Sequence, residues 1–347
     1  MTQAPSTHTG RPHHDLKTLE ANVFVDGVYS LCNPQLGVTR NNKNFLKCLL
    51  RDATGEVAAR LWSFEESRLA ELQCAGFVWI AGHTQLYNGQ IQLILEDIRP
   101  VEISPEEIAA LLPTTTKNID EMFAELDGLM RSLEHPAMQA LAAAYLDDEE
   151  LMQRFRMAPA AANLHHAWIG GLLEHTVQVL KIAESLLPLY PQLSRDIVLM
   201  GLFLHDLGKT YELSWEQGFN YTTDGNLVGH IARGAVLLQF KAAIAARQSG
   251  QKLPSDALRV LQHIILSHHG EPEFGAARIP SSPEAIFVSI VDNLDAKTQL
   301  ALTVAEREGG VPIDPNAPFT DKVWALGTRL YRPDPLKIED GDAPASE

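Results

Sequence analysis

Apolar and polar residues alternate with a period of two from about Leu16 to Val101, and then the period changes. The alternating segments are 23-VFVDGVYSL-31, 45-FLKCLLRD-52, 56-EVAARLW-62, 77-FVWIAGHTQLY-87 and 90-QIQLILEDI-98. Alternation sends successive side chains to opposite faces of a sheet, so each segment predicts a half-buried strand. Turn chemistry separates them at Asn33-Pro34, Ala53-Thr54-Gly55 and Asn88-Gly89. Asn-Gly between two alternating runs is a strong hairpin signal. The insert 63-SFEESRLAELQ-73 reads as a helix between the third and fourth strands.

From Ser104 onward the spacing turns helical. Ser104-Pro105-Glu106-Glu107 predicts a helix start, with a capping serine, proline at the first position and acids at the positive end. Further helices are predicted from Asn118 or Asp120 through Met130, over 136–146, and near 163–187, 194–208, 229–248, 254–269, 283–305 and 319–331. The stretch 219-FNYTTDGNL-227 predicts a loop or small hairpin. The chain thus divides into a polar arm (1–14), a β-barrel (15–103), a helical connector (104–155), an all-α domain (156–335) and an acidic tail (336–347) expected to be disordered. Five strands with a helix after the third outline an OB-fold, so the fold class is multidomain α+β. The arm is expected to be flexible and its His13-His14 pair solvated.

Composition changes this picture in two places. A hydrophobic content of 45% supports real cores across 347 residues. No apolar run reaches the roughly 18 residues of a membrane span, and the first 20 residues lack the apolar core of an export signal. Three cysteines without CxxC spacing fit a reducing cytoplasm and argue against a thiolate zinc site. The net charge of −16 counts against general affinity for nucleic acid. The thirteen histidines point elsewhere, because several cluster between 165 and 269.

The apolar run Ile197–Leu204 ends on His205-Asp206 in 201-GLFLHDLGKTYEL-213. Burying an imidazole and a carboxylate costs several kcal/mol unless each finds a partner. Four more apolar segments carry such groups. His175 follows 168-WIGGLLE-174, His230 opens 230-HIARGAVLL-238, His268-His269 end 260-VLQHIILSHHG-270, and Asp292 and Asp295 interrupt 286-IFVSIVDNLDA-296. Any one of these histidines alone is more often a hydrogen-bonded core residue, as His263 is read here, and His135 before Pro136 reads as a helix junction. Five together favour a metal centre built from several helices. Imidazole and carboxylate suit Mn²⁺, Fe²⁺, Co²⁺ or Zn²⁺. Asp206 can bridge two ions while His205 takes one, and a two-metal site serves in-line phosphoryl displacement. His165-His166 lie two to three turns before His175, near enough for a substrate contact.

The order His175, His205-Asp206, Asp292 resembles the HD-domain phosphohydrolases, an all-α, metal-dependent superfamily. The stretches 165-HHAWIGGLLEHT-176, 204-LHDLGK-209, 229-GHI-231, 267-SHHGE-271 and 291-VDNLDAK-297 are most similar to YhaM-type 3′–5′ exoribonucleases, which join an OB-fold to an HD domain. The resemblance covers the chain from about Asp15 to Pro335. It implies hydrolysis of single-stranded RNA, or DNA, from the 3′ end, with two divalent ions and Mn²⁺ favoured. Carried over, His175, His205, Asp206 and Asp292 would hold one ion. His230 with His268 or His269 would complete the second, bridged by Asp206. Lys209 would face the scissile phosphate, and Asp295 and His166 would support the ligands. Gly208 would permit a sharp helix end. No GYP tripeptide follows His205-Asp206, so cyclic-di-GMP hydrolysis is not implied.

In the barrel, 38-VTRNNKNFLKCLLRDATGEVAARLW-62 holds Arg40, Lys43, Lys47, Arg51 and Arg60 against Asp52 and Glu56. OB-folds bind single strands with a basic groove and stacking aromatics. Arg40, Lys43, Phe45, Lys47, Arg60 and Trp62 are therefore the expected nucleic-acid contacts, and Phe64 and Tyr87 are further aromatics. Two other functions fit the same residues: a phosphohydrolase of free nucleotides with a regulatory barrel, and a non-catalytic single-strand-binding regulator. A homo-oligomer is the expected assembly.

Overall fold

The computed structural model describes residues 6–8, 11–39, 41–87, 90–104, 107–108, 111–161, 168–215, 219–307, 318–333 and 336. A short hairpin of β1 (Ser6–His8) and β2 (Arg11–His13) leads into a five-stranded barrel. Its strands are β3 (Phe24–Val38), β4 (Asn44–Arg51), β5 (Glu56–Trp62), β6 (Phe77–Tyr87) and β7 (Gln90–Pro100). The barrel closes in the order β3-β4-β5-β7-β6, with β3 also paired to β6 and β5 paired in parallel to β7. The short helix α1 (Leu69–Cys74) falls between β5 and β6. This connectivity is that of an OB-fold. Alternation decides what lies inside. Leu46, Cys48 and Leu50 of β4 and Val57, Ala59 and Leu61 of β5 are buried in one cluster with Ile80, Leu93 and Ile98. Closure requires a ladder shift between Ala81 and Gly82, where a Cβ on Gly82 would stand 2.4 Å from the Ile94 carbonyl oxygen.

Two expectations about the barrel are corrected. Asn33-Pro34 is no turn between strands. β3 runs through it with a bulge between Cys32 and Gln35, and Asn33 takes φ 50°. Proline cannot donate to a ladder, so it sits where a bulge requires no donor. The reversal comes later, where Thr39 donates to the Lys43 carbonyl and Asn42 to that of Thr39. His13, expected to be solvated, is 5% exposed. Its Nδ1 lies 3.2 Å from the Val28 carbonyl oxygen and its Nε2 lies 3.1 Å from Asp52 Oδ2. A buried carboxylate needs such a partner. Asn88 and Gly89 lie outside the described residues, but the register Tyr87↔Gln90 makes β6 and β7 a hairpin around them.

Ser104 and Glu107 form a reciprocal cap. Ser104 N–H donates to Glu107 Oε2 (2.8 Å), and Glu107 N–H donates to Ser104 Oγ (3.3 Å). Asn118 caps α2 (Ile119–Arg131), and α3 (Pro136–Leu146) and α4 (Glu149–Met157) follow. Then come α5 (Gly171–Leu186), α6 (Arg195–Leu204), α7 (Lys209–Glu212), α8 (Thr223–Leu227), α9 (Gly229–Ser249), α10 (Ser255–Ser267) and α11 (Pro283–Arg307). Residues 196–204 of α6 are all buried, as expected of a run apolar on every face, and α5, α10 and α11 pack around it. The predicted loop or hairpin is β8 (Leu213–Ser214) paired with β9 (Asn220–Tyr221). A small cluster of Val28, Phe77, Leu111, Leu112, Ile169 and Phe219 joins barrel to helices. Among the described residues, no helix is long and apolar enough to cross a membrane.

The helix predicted over 319–331 is absent. The segment folds back on itself, pairing Phe319 with Tyr331 and Val323 with Thr328 around a 3-10 turn at Trp324–Leu326. β-Branched Thr320, Val323 and Thr328 favour extended pairing, and Gly327 at φ 70° closes the turn.

Asp52 offers a test of the barrel's polar staple. It accepts from the backbone N–H groups of Leu16, Thr54 and Gly55. Burial pushes its carboxyl up, but bonds from His13, Thr54 and Leu16 prevail and hold its pKa below the usual Asp value. A depressed carboxylate stabilises the fold above the unfolded-chain pKa, and that contribution fades as pH falls through the folded value. Asp52→Ala is therefore expected to lose about 1–3 kcal/mol near pH 7 by urea unfolding, with less loss on acidification below about pH 4.

Candidate metal centre

Five helical segments bring their polar groups to one interior point. α6 ends at Leu204 with His205 as its cap, and Asp206 lies in the turn before α7. His175 comes from the first turns of α5, His230 from the start of α9, His268-His269 from the end of α10, and Asp292 and Asp295 from the middle of α11. The turn after Asp206 must pass close under α9. A Cβ on Gly208 would lie 2.1 Å from the His230 carbonyl oxygen. Gly208 has φ −60°, so the glycine serves this close approach rather than a left-handed helix end.

Two groups of ligand atoms result, and Asp206 stands between them. Asp206 Oδ2 lies 3.4 Å from His205 Nε2 and 3.9 Å from His175 Nε2. Those two nitrogens are 3.3 Å apart, and Asp292 Oδ1 is 3.3 Å from the first and 3.7 Å from the second as His175 and His205 are taken in turn. Asp206 Oδ1 faces the other way, 3.5 Å from His268 Nε2 and 3.6 Å from His230 Nε2. His175, His205 and Asp292 form one set able to hold an ion, and Asp206, His230, His268 and His269 form another.

The imidazole tautomers decide what these atoms can do. His175 Nδ1 lies 2.7 Å from Asp295 Oδ2, and His230 Nδ1 lies 2.7 Å from Glu212 Oε2. His205 Nδ1 donates to the Leu202 carbonyl (2.7 Å) and His268 Nδ1 to that of Ile265 (2.8 Å). The Nδ1 atoms of His175, His205 and His268 face hydrogen-bond acceptors, and that of His230 lies at ion-pair distance from Glu212, so in the neutral ring each Nε2 turns a lone pair toward the centre. Asp206 Oδ1, His268 Nε2 and both ring nitrogens of His230 are buried and have no aligned hydrogen-bond partner among the described residues. Convergent lone pairs on buried atoms fit a cation and little else, so the donor set fits divalent metal ions.

The titration of the site agrees with that fit. Burial would lower the His175 pKa, but Asp292 and Asp295 override it and raise the value to about 9. The point between these carboxylates thus attracts positive charge: near pH 7 a proton on His175 Nε2, which an ion bound there would displace. Burial pushes the Asp206 carboxyl up, yet Lys209 and His205 hold it well below the carboxylate range. Asp292 is likewise depressed, its burial outweighed by His175 and His205. Burial keeps His268 low, and burial with the adjacent His268 takes His269 to about 4, so both are neutral at pH 7 as ligands must be.

Lys209 Nζ pairs with Asp206 Oδ2 at 2.7 Å. His263 accepts from Ser281 N–H (2.7 Å), and His135 caps α3 through Ala137 N–H. His166 lies outside the described residues. The residues missed in sequence are Glu212, which faces His230, and Tyr221, Asn293 and Lys297, which line the cavity of about 500 Å³ over the centre. Glu212 and His230 are separated by 18 residues and three short elements, so no local pattern pairs them.

On the barrel, register places Phe45 opposite Trp62 and Lys47 opposite Arg60. The Phe45 and Trp62 ring centroids are 5.0 Å apart, and the Arg60 guanidinium lies 5.9 Å from the Trp62 ring and 5.6 Å from that of Tyr87. Lys43 and Lys47 are exposed beside them. Arg40 lies outside the described residues. Arg51 is buried and paired with Glu56 at 2.9 Å, so it adds nothing to the exposed charge. Phe64 is likewise buried in the barrel core.

The family model for the HD domain matches residues 172–297. The 3′-5′ exoribonuclease YhaM of Bacillus subtilis (strain 168) is 34% identical over 316 residues, 90% of this chain and 96% of the relative. Its counterpart in Bacillus licheniformis is 34% identical over 299 residues, 86% of this chain and 91% of the relative. That of Shouchella clausii is 32% identical over 311 residues, 89% and 93% of the two chains.

The carboxylates behind the imidazoles can be tested directly. Asp295→Ala and Glu212→Ala are each expected to weaken divalent-ion binding by about 10–100-fold. Calorimetric titration of the metal-stripped protein with Mn²⁺ measures this, and unchanged affinity in both would contradict the tautomer argument.

Proposed function

Because the chain belongs to the YhaM family of 3′–5′ exoribonucleases, we propose that it removes nucleoside 5′-monophosphates stepwise from the 3′ end of single-stranded RNA, with single-stranded DNA as a second substrate. The HD domain and the family imply dependence on divalent metal. Two ions, Mn²⁺ before Fe²⁺, Co²⁺ or Zn²⁺, would be held in this reading by His175, His205, Asp206 and Asp292 on one side and Asp206, His230, His268 and His269 on the other. The observation that carries it is the Asp206 carboxylate, whose two oxygens face two separate imidazole groups. When bound, such ions would supply acidity toward water and neutralise charge on a phosphate.

The chain's own residues do the rest. Asp295, Glu212 and the Leu202 and Ile265 carbonyls fix the imidazoles. Lys209, held beside Asp206, places an ammonium next to the scissile phosphate. The cavity of about 500 Å³ suits one nucleotide. The exposed face of Lys43, Phe45, Lys47, Arg60 and Trp62 supports single-strand capture by the barrel. Cys32, Cys48 and Cys74 are free thiols, which supports a cytoplasmic location.

With Mn²⁺, a 5′-labelled single-stranded RNA is expected to yield a one-nucleotide ladder. Asp206→Ala should reduce turnover by well over about 100-fold, the upper range for outer contacts alone. Intact RNA alongside hydrolysed free nucleotides would overturn the reading in favour of a nucleotide phosphohydrolase. Equal turnover by Asp206→Ala would show the site to be non-catalytic.

A further inference from the structure

The segment 318–333 belongs neither to the barrel, which ends at Pro100, nor to the matched HD region, which ends at 297. Its sequence, 318-PFTDKVWALGTRLYRP-333, holds Lys322, Arg329 and Arg332 against Asp321 alone, within a chain of net charge −16. It is also aromatic and outward-facing: Trp324 is 83% exposed, and Phe319 and Tyr331 are about half exposed. A tryptophan left this open contributes almost no buried area, so core packing does not account for it.

Cations accompany these rings. Lys322 Nζ lies 4.6 Å from the Trp324 ring centroid, and the Arg329 guanidinium lies 5.9 Å from that of Phe319. Neither cation has an ion-pair partner among the described residues. The segment is also closed on itself by hydrogen bonds. Val323 N–H donates to the Thr328 carbonyl (2.8 Å), Thr320 N–H to that of Leu330 (2.9 Å), and Leu330 N–H to Thr320 Oγ1 (3.0 Å). Its tip reaches the cavity over the metal centre. Ala325, adjacent to Trp324, lines the same cavity as Asp206 and Asp292.

We propose that this segment is a second contact surface for single-stranded RNA, at the mouth of the catalytic cavity, with Trp324 stacking on a base and Lys322 and Arg329 meeting phosphates. The proposal rests on the exonuclease reading above. Lys322 covers one face of the indole and leaves the other to a base. Positive charge on an otherwise acidic chain, continuous with the cavity, favours a polyanion over a protein partner. Stacking tolerates every base, as a stepwise nuclease requires.

The test uses the full chain with Mn²⁺ on a long oligoadenylate and a trinucleotide. Trp324→Ala is expected to raise KM for the long RNA by about tenfold with kcat retained, and to raise it less for the trinucleotide. Trp324→Phe should restore most of the affinity. Lys322→Ala should flatten the salt dependence of KM by about 0.7 in log–log slope. An unchanged KM for the long RNA in Trp324→Ala, or equal losses on both substrates, overturns the proposal, as does an effect of Trp324→Ala confined to self-association. An inert wild type overturns the exonuclease reading and this proposal with it; an active wild type matched by Trp324→Ala overturns this proposal alone.

Discussion

A single buried carboxylate organises the catalytic half of this protein. Asp206 is almost fully enclosed, and its two oxygens look toward different groups of imidazoles. An ionised carboxylate in such a place is tolerable only with positive charge on both sides. Lys209 supplies part of it from one turn away. The rest of the demand would be met by cations held among the lone-pair donors that α5, α9, α10 and α11 bring to the same point. Removing any one of these helices would strand the others' polar groups in an apolar interior. The helical core and the metal centre are therefore one structural problem with one solution.

The solution extends outward by a layer. Four of the five clustered imidazoles face a partner through their second nitrogen, two of them carboxylates and two of them carbonyls three residues earlier in the chain. The carbonyl bonds come free with a histidine at a helix end, because the last carbonyls of a helix lack partners. The carboxylate bonds do not, and they depend on α7 and α11 arriving at the correct height. That difference explains why His205 and His268 sit at helix ends, whereas His175 and His230 lie in first turns and borrow acids from elsewhere.

How much of this was legible in the sequence depended on the range of the interaction. The barrel was readable because inside–outside alternation is local, and so was the helix after the third strand. The convergence of imidazoles and carboxylates was readable because a polar group after an apolar run needs a buried partner, as at His205-Asp206. What failed was set by distant partners. His13 looked solvated among polar neighbours until Asp52, 39 residues on, claimed it. Asn33-Pro34 had the composition of a turn but takes a bulge, because the strand on its far side continues the pairing with β4. The helix expected at 319–331 gave way to cross-strand pairs that helical spacing does not reveal. Glu212 carried no signal, since its partner is placed only by the whole fold.

Closure of the barrel has a bearing on how the N-terminal half can change over time. A sheet whose first and fourth strands are joined leaves no border for another chain to extend. Whatever the barrel grips is gripped by projecting side chains alone. Those on β4 and β5 alternate strictly with the interior set, so the gripping surface can be rewritten residue by residue while the cylinder beneath it stays intact.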